Sequence, residues 1–497
     1  MVCAKGTFWN LVEDAAKHRP ESVILSDDHG RSLTSAGFRA EAERAAAGLK
    51  ERGVVAGDVV SWQLPTTLES AVLMAACARL GVVQNPIIPL FRGREVSFIV
   101  GQVRPALIVV PETWRGFSHG DLARTLGPAV LTLDLDEAPP RLPAGDPDLL
   151  PPVPTESAEC RWIYYSSGTT ADPKGARHTD ASVVAGANGV VDRLGLGATD
   201  VYPIAWPFAH IGGVAMLVSV LWTGGRLVLF DTFDPTLTPE RMAAHRPTVL
   251  GSATPFFRAY VAAQRSHGDQ PLFPDLRVCV GGGAATPETV NEEVVAVLGV
   301  PGVVGSWGLT EFPVATSETP SDAQVGTTVG RPAPGVRVRV VDGELRLRGP
   351  QAFLGYMDAS LDADAYDQEG WFRTGDLGTV DANGRIRVSG RLKDLIIRNA
   401  ENISAEEVET VLLRHPHVAD GAVIGVPDEH TGERLCAVVV AEPGHEITLA
   451  DLVEHCRAAG LAAYKCPEHL QLLPELPRNS MGKVLKQELR TACRRRC

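Results

Sequence analysis

The chain lacks a paired-cysteine signature. Its nine cysteines are scattered, odd in number and never spaced as CxxC, which argues against a disulfide framework or a cysteine-rich zinc site and fits reduced thiols packed as small hydrophobes. Long apolar runs are missing too. Ile211 to Trp222 is too short and too broken by glycine to span a bilayer, and the opening MVCAKGTFWN has no apolar core of signal-peptide length. Positive charge is in deficit: the formal net charge is -13, which argues against a general binder of nucleic acid or anionic membrane but allows a local basic pocket. No internal repeat or low-complexity tract stands out. The expectation is a cytoplasmic protein with neither nucleic acid nor membrane as partner.

What is present is a chain of 497 residues with 44% hydrophobic content, enough for two or more buried cores. Helix, short strand and helix are expected from Phe8 to about Gly53, with Asn10 capping the first helix. Strand and helix then alternate: strands at Val59 to Leu64, Val82 to Pro89, Ala106 to Val110 and Ala129 to Leu133, and a packed helix at Leu68 to Leu80. This is the pattern of a doubly wound sheet, whose ligands sit beyond the carboxyl ends of the strands. A proline-rich connector spans Pro139 to Pro154, and a second α/β stretch runs from about Thr199 to Gly330. After it come short strands (Val336 to Val341, Glu344 to Arg348) and an Asn383-Gly384 hairpin signal, so the sheet becomes antiparallel. From Arg391 about a hundred residues of strand and helix form a small α+β unit. The fold class expected is α/β: a large N-terminal domain (1–390) with a small β-barrel-like subdomain, then a small mobile α+β C-terminal domain (391–497).

The densest chemistry lies in Ser166-Ser167-Gly168-Thr169-Thr170-Ala171-Asp172-Pro173-Lys174-Gly175. Hydroxyls, glycines and a lysine after the apolar Trp162 to Tyr165 suit an anion, because glycine lets backbone N–H groups approach phosphate and lysine supplies charge. It is not a Walker loop, since Pro173 removes a donor beside the lysine. An ordinary Ser/Gly turn with a surface lysine is the competing reading of the stretch alone.

The ordered set of motifs resembles the adenylate-forming superfamily of acyl-CoA synthetases, aryl-CoA ligases, luciferases and peptide-synthetase adenylation domains. Besides the loop, the motifs are Arg79 to Pro86, Pro207 to His210, Gly281 to Ala284, Trp307-Gly308-Leu309-Thr310-Glu311, Thr374-Gly375-Asp376, Gly390 to Asp394 and Asn479-Ser480-Met481-Gly482-Lys483. The resemblance covers nearly the whole chain. It implies ATP, Mg²⁺ and CoA as cosubstrates or cofactors and a small carboxylic acid as substrate, activated as acyl-adenylate and passed to CoA.

By that resemblance Lys483 reaches the carboxylate and α-phosphate, Thr310 donates to the α-phosphate and Glu311 holds the metal. Ser166, Ser167, Gly168, Thr169, Thr170 and Lys174 cradle phosphate. Trp307 offers adenine a face beside Gly283 and Ala284, with Ser306, Gly308 and Val388 nearby, and Asp376 with Arg391 holds the ribose. His210 gates an acyl pocket drawn from Trp206, Phe208, Ile211, Gly212, Gly213, Gly281, Gly282 and Val314. These are apolar or small, which suits a bulky cyclic or aromatic acid and disfavours an amino acid.

Lys393 is the expected hinge, about which the small domain swings between the two half-reactions. Two departures stand out. Ala171 replaces a glycine of the phosphate loop, and Ala400 replaces one lining the thiol tunnel. Weak thiolation, with the adenylate handed to a partner enzyme, is therefore the alternative, and a nucleotide-binding regulator without catalysis is a third reading. A homodimer is left open.

Overall fold

A computed structural model describes residues 6–135, 141–155, 159–166, 173–283, 286–322, 325–399, 401–479 and 482–494. Of the sites named above, Ser167, Gly168, Thr169, Thr170, Ala171, Ala284, Ala400, Ser480 and Met481 lie outside them.

Local chemistry sets the first elements. The helix Phe8–His18 starts from Thr7, whose hydroxyl accepts from Asn10 N, while the Asn10 side chain returns a bond to Thr7 N at 3.0 Å. The cap is therefore Thr7, not Asn10 as expected. Asn10 occupies the third helical position of a reciprocal capping box, so both polar residues serve the same helix end. The helix Leu68–Leu80 begins at Thr67 and ends at Gly81, which takes a left-handed φ of 71°. All thirteen of its residues are buried, which explains why it has no polar stripe. Its one acidic residue, Glu69, is paired with Arg31 at 2.5 Å.

Three sheets form the large part of the chain. One orders its strands Val201–Ile204, Arg226–Leu229, Val23–Asp27 and Ser32–Thr34. A second places Val83–Pro86, Val59–Trp62, Leu107–Pro111 and Ala129–Leu133 in parallel. On its other edge, Cys160–Ser166 joins Val83–Pro86 and turns back antiparallel into Lys174–Thr179. The third runs parallel through Val249–Ser252, Val278–Gly281 and Val303–Leu309, then reverses into Phe312–Ser317 and Arg331–Pro332. One apolar core fills the space between the first two sheets and the helices around them, and a second backs the third sheet. The parallel strands thus aim their carboxyl ends at a common crevice, where ligands of α/β folds bind.

Beyond Gly330 the strands Arg337–Val341, Glu344–Arg348, Phe372–Val380 and Ile386–Arg391 make an antiparallel four-stranded sheet. A single 3-10 turn, Leu392–Asp394, then leads to a five-stranded sheet that begins at Leu395–Arg398 and carries the helices Ala405–Leu412, Leu449–Ala458 and Lys486–Arg494. Two ion pairs tie that last helix down: Lys486 to Glu409 at 2.7 Å, and Arg490 to Asp394 at 3.0 Å. Among the described residues no helix is long and apolar enough to cross a membrane.

Candidate active site

The strands that flank the stretch of hydroxyls and glycines, Cys160–Ser166 and Lys174–Thr179, pair antiparallel, with Ser166 and Lys174 as cross-strand partners. The neck is narrow. A Cβ on Gly175 would lie 2.8 Å from the Tyr165 ring and 2.9 Å from Met357, which is why glycine follows the lysine. Residues 353–357 lie along the free edge of this strand: Leu354 N donates to Arg177 O at 2.7 Å, Arg177 N to Gly355 O at 3.0 Å and Met357 N to Gly175 O at 2.7 Å.

Thr310 and Glu311 form the turn between Val303–Leu309 and Phe312–Ser317, and their backbone is held from both sides. His178 Nε2 lies 2.8 Å from Thr310 O, and Phe353 N donates to Glu311 O at 3.0 Å. A carbonyl only accepts, so Nε2 of His178 carries the proton and Nδ1 faces Ser182 Oγ at 3.0 Å. Burial lowers the His178 pKa to about 4, so this tautomer is neutral. The Glu311 carboxylate is almost buried, and its Oε1 accepts from Tyr356 OH at 2.7 Å. Among the described residues, Oε2 accepts no hydrogen bond. Sequence reasoning missed His178 and Tyr356.

The nucleoside candidates cluster a few residues away. Asp376 and Arg391 are cross-strand partners of the antiparallel sheet, and Asp376 is 2% exposed. Its Oδ2 accepts from Trp307 Nε1 at 2.8 Å. Arg391 Nε sits 2.8 Å from Oδ1, but off the line a hydrogen bond needs, so Oδ1 is a buried acceptor with no donor among the described residues. A ribose hydroxyl would supply one, and in that respect the site fits a nucleoside. Gly375, with φ of 69°, lies inside the strand Phe372–Val380 where its register against Glu344–Arg348 shifts, while Thr374 Oγ1 bonds Leu345 O at 2.6 Å and accepts from Asp376 N at 3.0 Å. Trp307 is buried with its indole edge fixed by Asp376. Ser306 Oγ is engaged with Thr316 O at 3.2 Å. Val388 pairs with Gly378 in the same sheet, and Gly283 opens outward at φ of 79°, with nothing within 4 Å of where a Cβ would stand.

Lys483 belongs to the last domain, and its backbone is bonded to Asn479. Asn479 N donates to Lys483 O at 2.8 Å, Lys483 N to Asn479 Oδ1 at 2.9 Å and Arg478 to Gly482 O at 2.5 Å. Gly482 packs over Pro255 of the large domain. Burial, then the charges of Arg391 and Lys393, lower the Lys483 pKa to about 8, opposed by Asp376 and Asp394. The Lys393 pKa is also lowered, first by burial and then by Arg391, with Lys174 contributing. Four cations from three segments are therefore linked through Arg391 and Lys393 in a chain of net charge -13. Asp376 and Asp394 offset this only in part, since both lysine pKa values remain lowered, and a bound anion would relieve the rest.

Around His210 the expected acyl residues divide. His210 caps the helix Ile211–Thr223, its Nδ1 accepting from Gly212 N at 3.1 Å, so Nε2 carries the proton. Burial lowers its pKa to about 4, which makes it a neutral donor. Trp206 stands edge-on to it at 6.4 Å, and a Cβ on Gly212 would touch both rings. Phe208 is a correction: with 0% exposure it lies in the core behind the wall and lines nothing. Nor do the glycines all make space. A Cβ on Gly213 would lie 1.9 Å from Phe208 O, on Gly308 2.5 Å from Val314 N, and on Gly281 2.9 Å from Val303, so packing alone requires these three. Gly282 is open, with Ser306 O at 3.8 Å. Val314 takes a φ of 48° at the same hairpin.

A cavity of about 120 Å³ lies beside Trp206 and Pro207, bounded by Trp114, Arg115, Phe233 and Phe256. Its walls follow the carboxyl ends of strands from both parallel sheets. A larger cleft of about 540 Å³ opens at the amino ends of such strands. There Arg277 and Arg246 are already paired with Asp200 and Asp275 at 2.7 Å, so size does not locate the chemistry. Among the described residues no three His, Cys, Asp or Glu are grouped to hold a metal. A cation at Glu311 would need phosphate oxygens as its other ligands.

The family model described as AMP-binding enzyme matches residues 12–357, and its C-terminal domain model matches 407–483. The chain belongs to this family, the adenylate-forming superfamily, in its acyl-CoA synthetase branch. It is 31% identical to the medium-chain fatty-acid–CoA ligase of Escherichia coli, over 98% of this chain and 90% of that protein. With a salicylyl-CoA synthase / salicylate adenylyltransferase of a Streptomyces species it shares 33% identity, over 95% and 91%. ATP-bound MatB from Rhodopseudomonas palustris superposes with a TM-score of 0.87 at 28% identity, covering 97% of this chain and 98% of that one. A fatty-acid and an aryl ligase are thus about equally similar, and similarity alone does not choose the acid.

Proposed function

We propose that the protein activates a carboxylic acid with an apolar, cyclic or aromatic body, forming an acyl-adenylate and then a CoA thioester. The observation that carries this reading is Lys483 within reach of the charges of Arg391 and Lys393, which in turn feels Lys174, beside Asp376, whose Oδ1 has no donor among the described residues. A carboxylate and a triphosphate repel each other, and fixed cations and donors at the α-phosphate are what that reaction needs.

In the first step a carboxylate oxygen attacks the α-phosphorus, the bond from that phosphorus to the bridging oxygen breaks, and pyrophosphate leaves. Lys483 stabilises the charge gathered on the α-phosphate and the attacking carboxylate. Thr310, its backbone clamped by His178, holds its hydroxyl toward that phosphate, and Asp376 accepts a ribose hydroxyl while Trp307, pinned by it, presents a face to adenine. Glu311 would hold Mg²⁺, which when bound neutralises phosphate charge. His210, neutral with its proton on Nε2, donates to the acid or its adenylate. In the second step the CoA sulfur attacks the acyl carbon and the bond to the AMP oxygen breaks. For that step Lys483 must withdraw, and rotation of the last domain about Lys393 is the motion proposed. The apolar acid is supported by Trp206, Ile211 and a neutral His210 around Gly212; Asp231 and Arg115 are the charged side chains that also line the cavity beside Trp206.

A panel of linear, alicyclic, aromatic and polycyclic acids, assayed for pyrophosphate release and for thioester with and without CoA, tests the proposal. Acid-dependent release with thioester from cyclic or aromatic acids supports it. Release confined to short linear acids removes the substrate class, and release without thioester removes CoA as acceptor.

A further inference from the structure

Tyr356 touches both halves of the phosphate site. Its backbone is fixed: N–H donates to Asp362 Oδ1 at 2.7 Å, and its neighbours bond the strand that carries Lys174. The side chain is 7% exposed. Its hydroxyl donates to Glu311 Oε1 at 2.7 Å, and its ring lies under the Lys174 ammonium, 5.4 Å from centroid to Nζ. A phenol has one proton, and here it is spent on Oε1, so the carboxylate is held in one plane with Oε2 left as its open acceptor.

We propose that Tyr356 is a positioning residue that couples the two phosphate-binding elements, its hydroxyl aiming Glu311 at a divalent cation and its ring seating Lys174. The inference rests on the ATP and Mg²⁺ reading of the site given above.

The test is equilibrium ATP binding to the full chain by calorimetry, in EDTA and across a Mg²⁺ series, for wild type, Tyr356→Phe and Tyr356→Leu, with melting curves alongside. Tyr356→Phe keeps the ring and is expected to match wild type in EDTA while needing about tenfold more Mg²⁺ for the same ATP affinity, the size of one hydrogen bond to a charged group. Tyr356→Leu is expected to lose a further severalfold in EDTA as Lys174 loses its seat. A folded Tyr356→Phe whose Mg²⁺ series overlays wild type overturns the inference, as does an equal loss with and without Mg²⁺. If wild type itself binds ATP without any dependence on Mg²⁺, the reading of Glu311 as a cation ligand fails first and this inference falls with it.

Discussion

Adenylation should switch off as Lys483 loses its proton, and the structure says where. Its pKa falls from the ordinary lysine value of 10.5 to about 8, because a largely buried ammonium faces Arg391 and Lys393 before any anion binds. The free enzyme would then hold about nine-tenths of Lys483 charged at pH 7, half at pH 8 and about a tenth at pH 9. Since kcat/KM reports the free enzyme, its profile in the pyrophosphate-forming step should bend near pH 8 and fall about tenfold per unit above it. Bound ATP adds negative charge, so the bend in kcat should lie at higher pH. The same shift bears on stability. A lysine whose folded pKa is lowered makes the unfolded state bind more protons between about 8 and 10.5, so this group adds stability as pH rises through that window. Below pH 8 its full cost is present. Lys483→Met should therefore stabilise the ATP-free protein at pH 7 by on the order of 2 kcal/mol after solvent screening, seen as a higher melting temperature, while abolishing adenylation. Lys393→Met, removing a neighbouring charge, should move the bend in kcat/KM upward. A profile flat from pH 7 to 10, or unmoved by Lys393→Met, would refute the electrostatic account.

Gly213→Ala should cost several kcal/mol, because its methyl meets Phe208 O at 1.9 Å; thermal melting checks this, and an unchanged midpoint would contradict it. Asp376→Asn should raise the KM for ATP by about 10- to 100-fold by removing the charge beside Arg391, with a smaller effect on the KM for the acid, as steady-state kinetics would separate.

The candidate motifs could be picked out along the chain because each is local: Thr374-Gly375-Asp376 lies within one strand, and Thr310-Glu311 within one hairpin. His178 and Tyr356 could not, since their meaning lies in partners 132 and 45 residues away. His178 reads as one more buried strand residue until it is seen bonding Thr310 O. The glycines near His210 misled in a related way. Glycine leaves room for a ligand or for another backbone, and only Phe208 O shows which applies at Gly213. Thr7 and Asn10 show the same limit at short range, for either could cap a helix and here they share the task.

The central claim is that Lys483 and the crevice opposite it join a carboxylate to AMP. Acid-dependent exchange of labelled pyrophosphate into ATP, run with the acid panel on wild type and on Lys483→Ala, tests it most directly. The account predicts exchange that requires the acid and falls by on the order of 10²- to 10³-fold in Lys483→Ala. Exchange that ignores the acid, or that survives loss of Lys483, would contradict it.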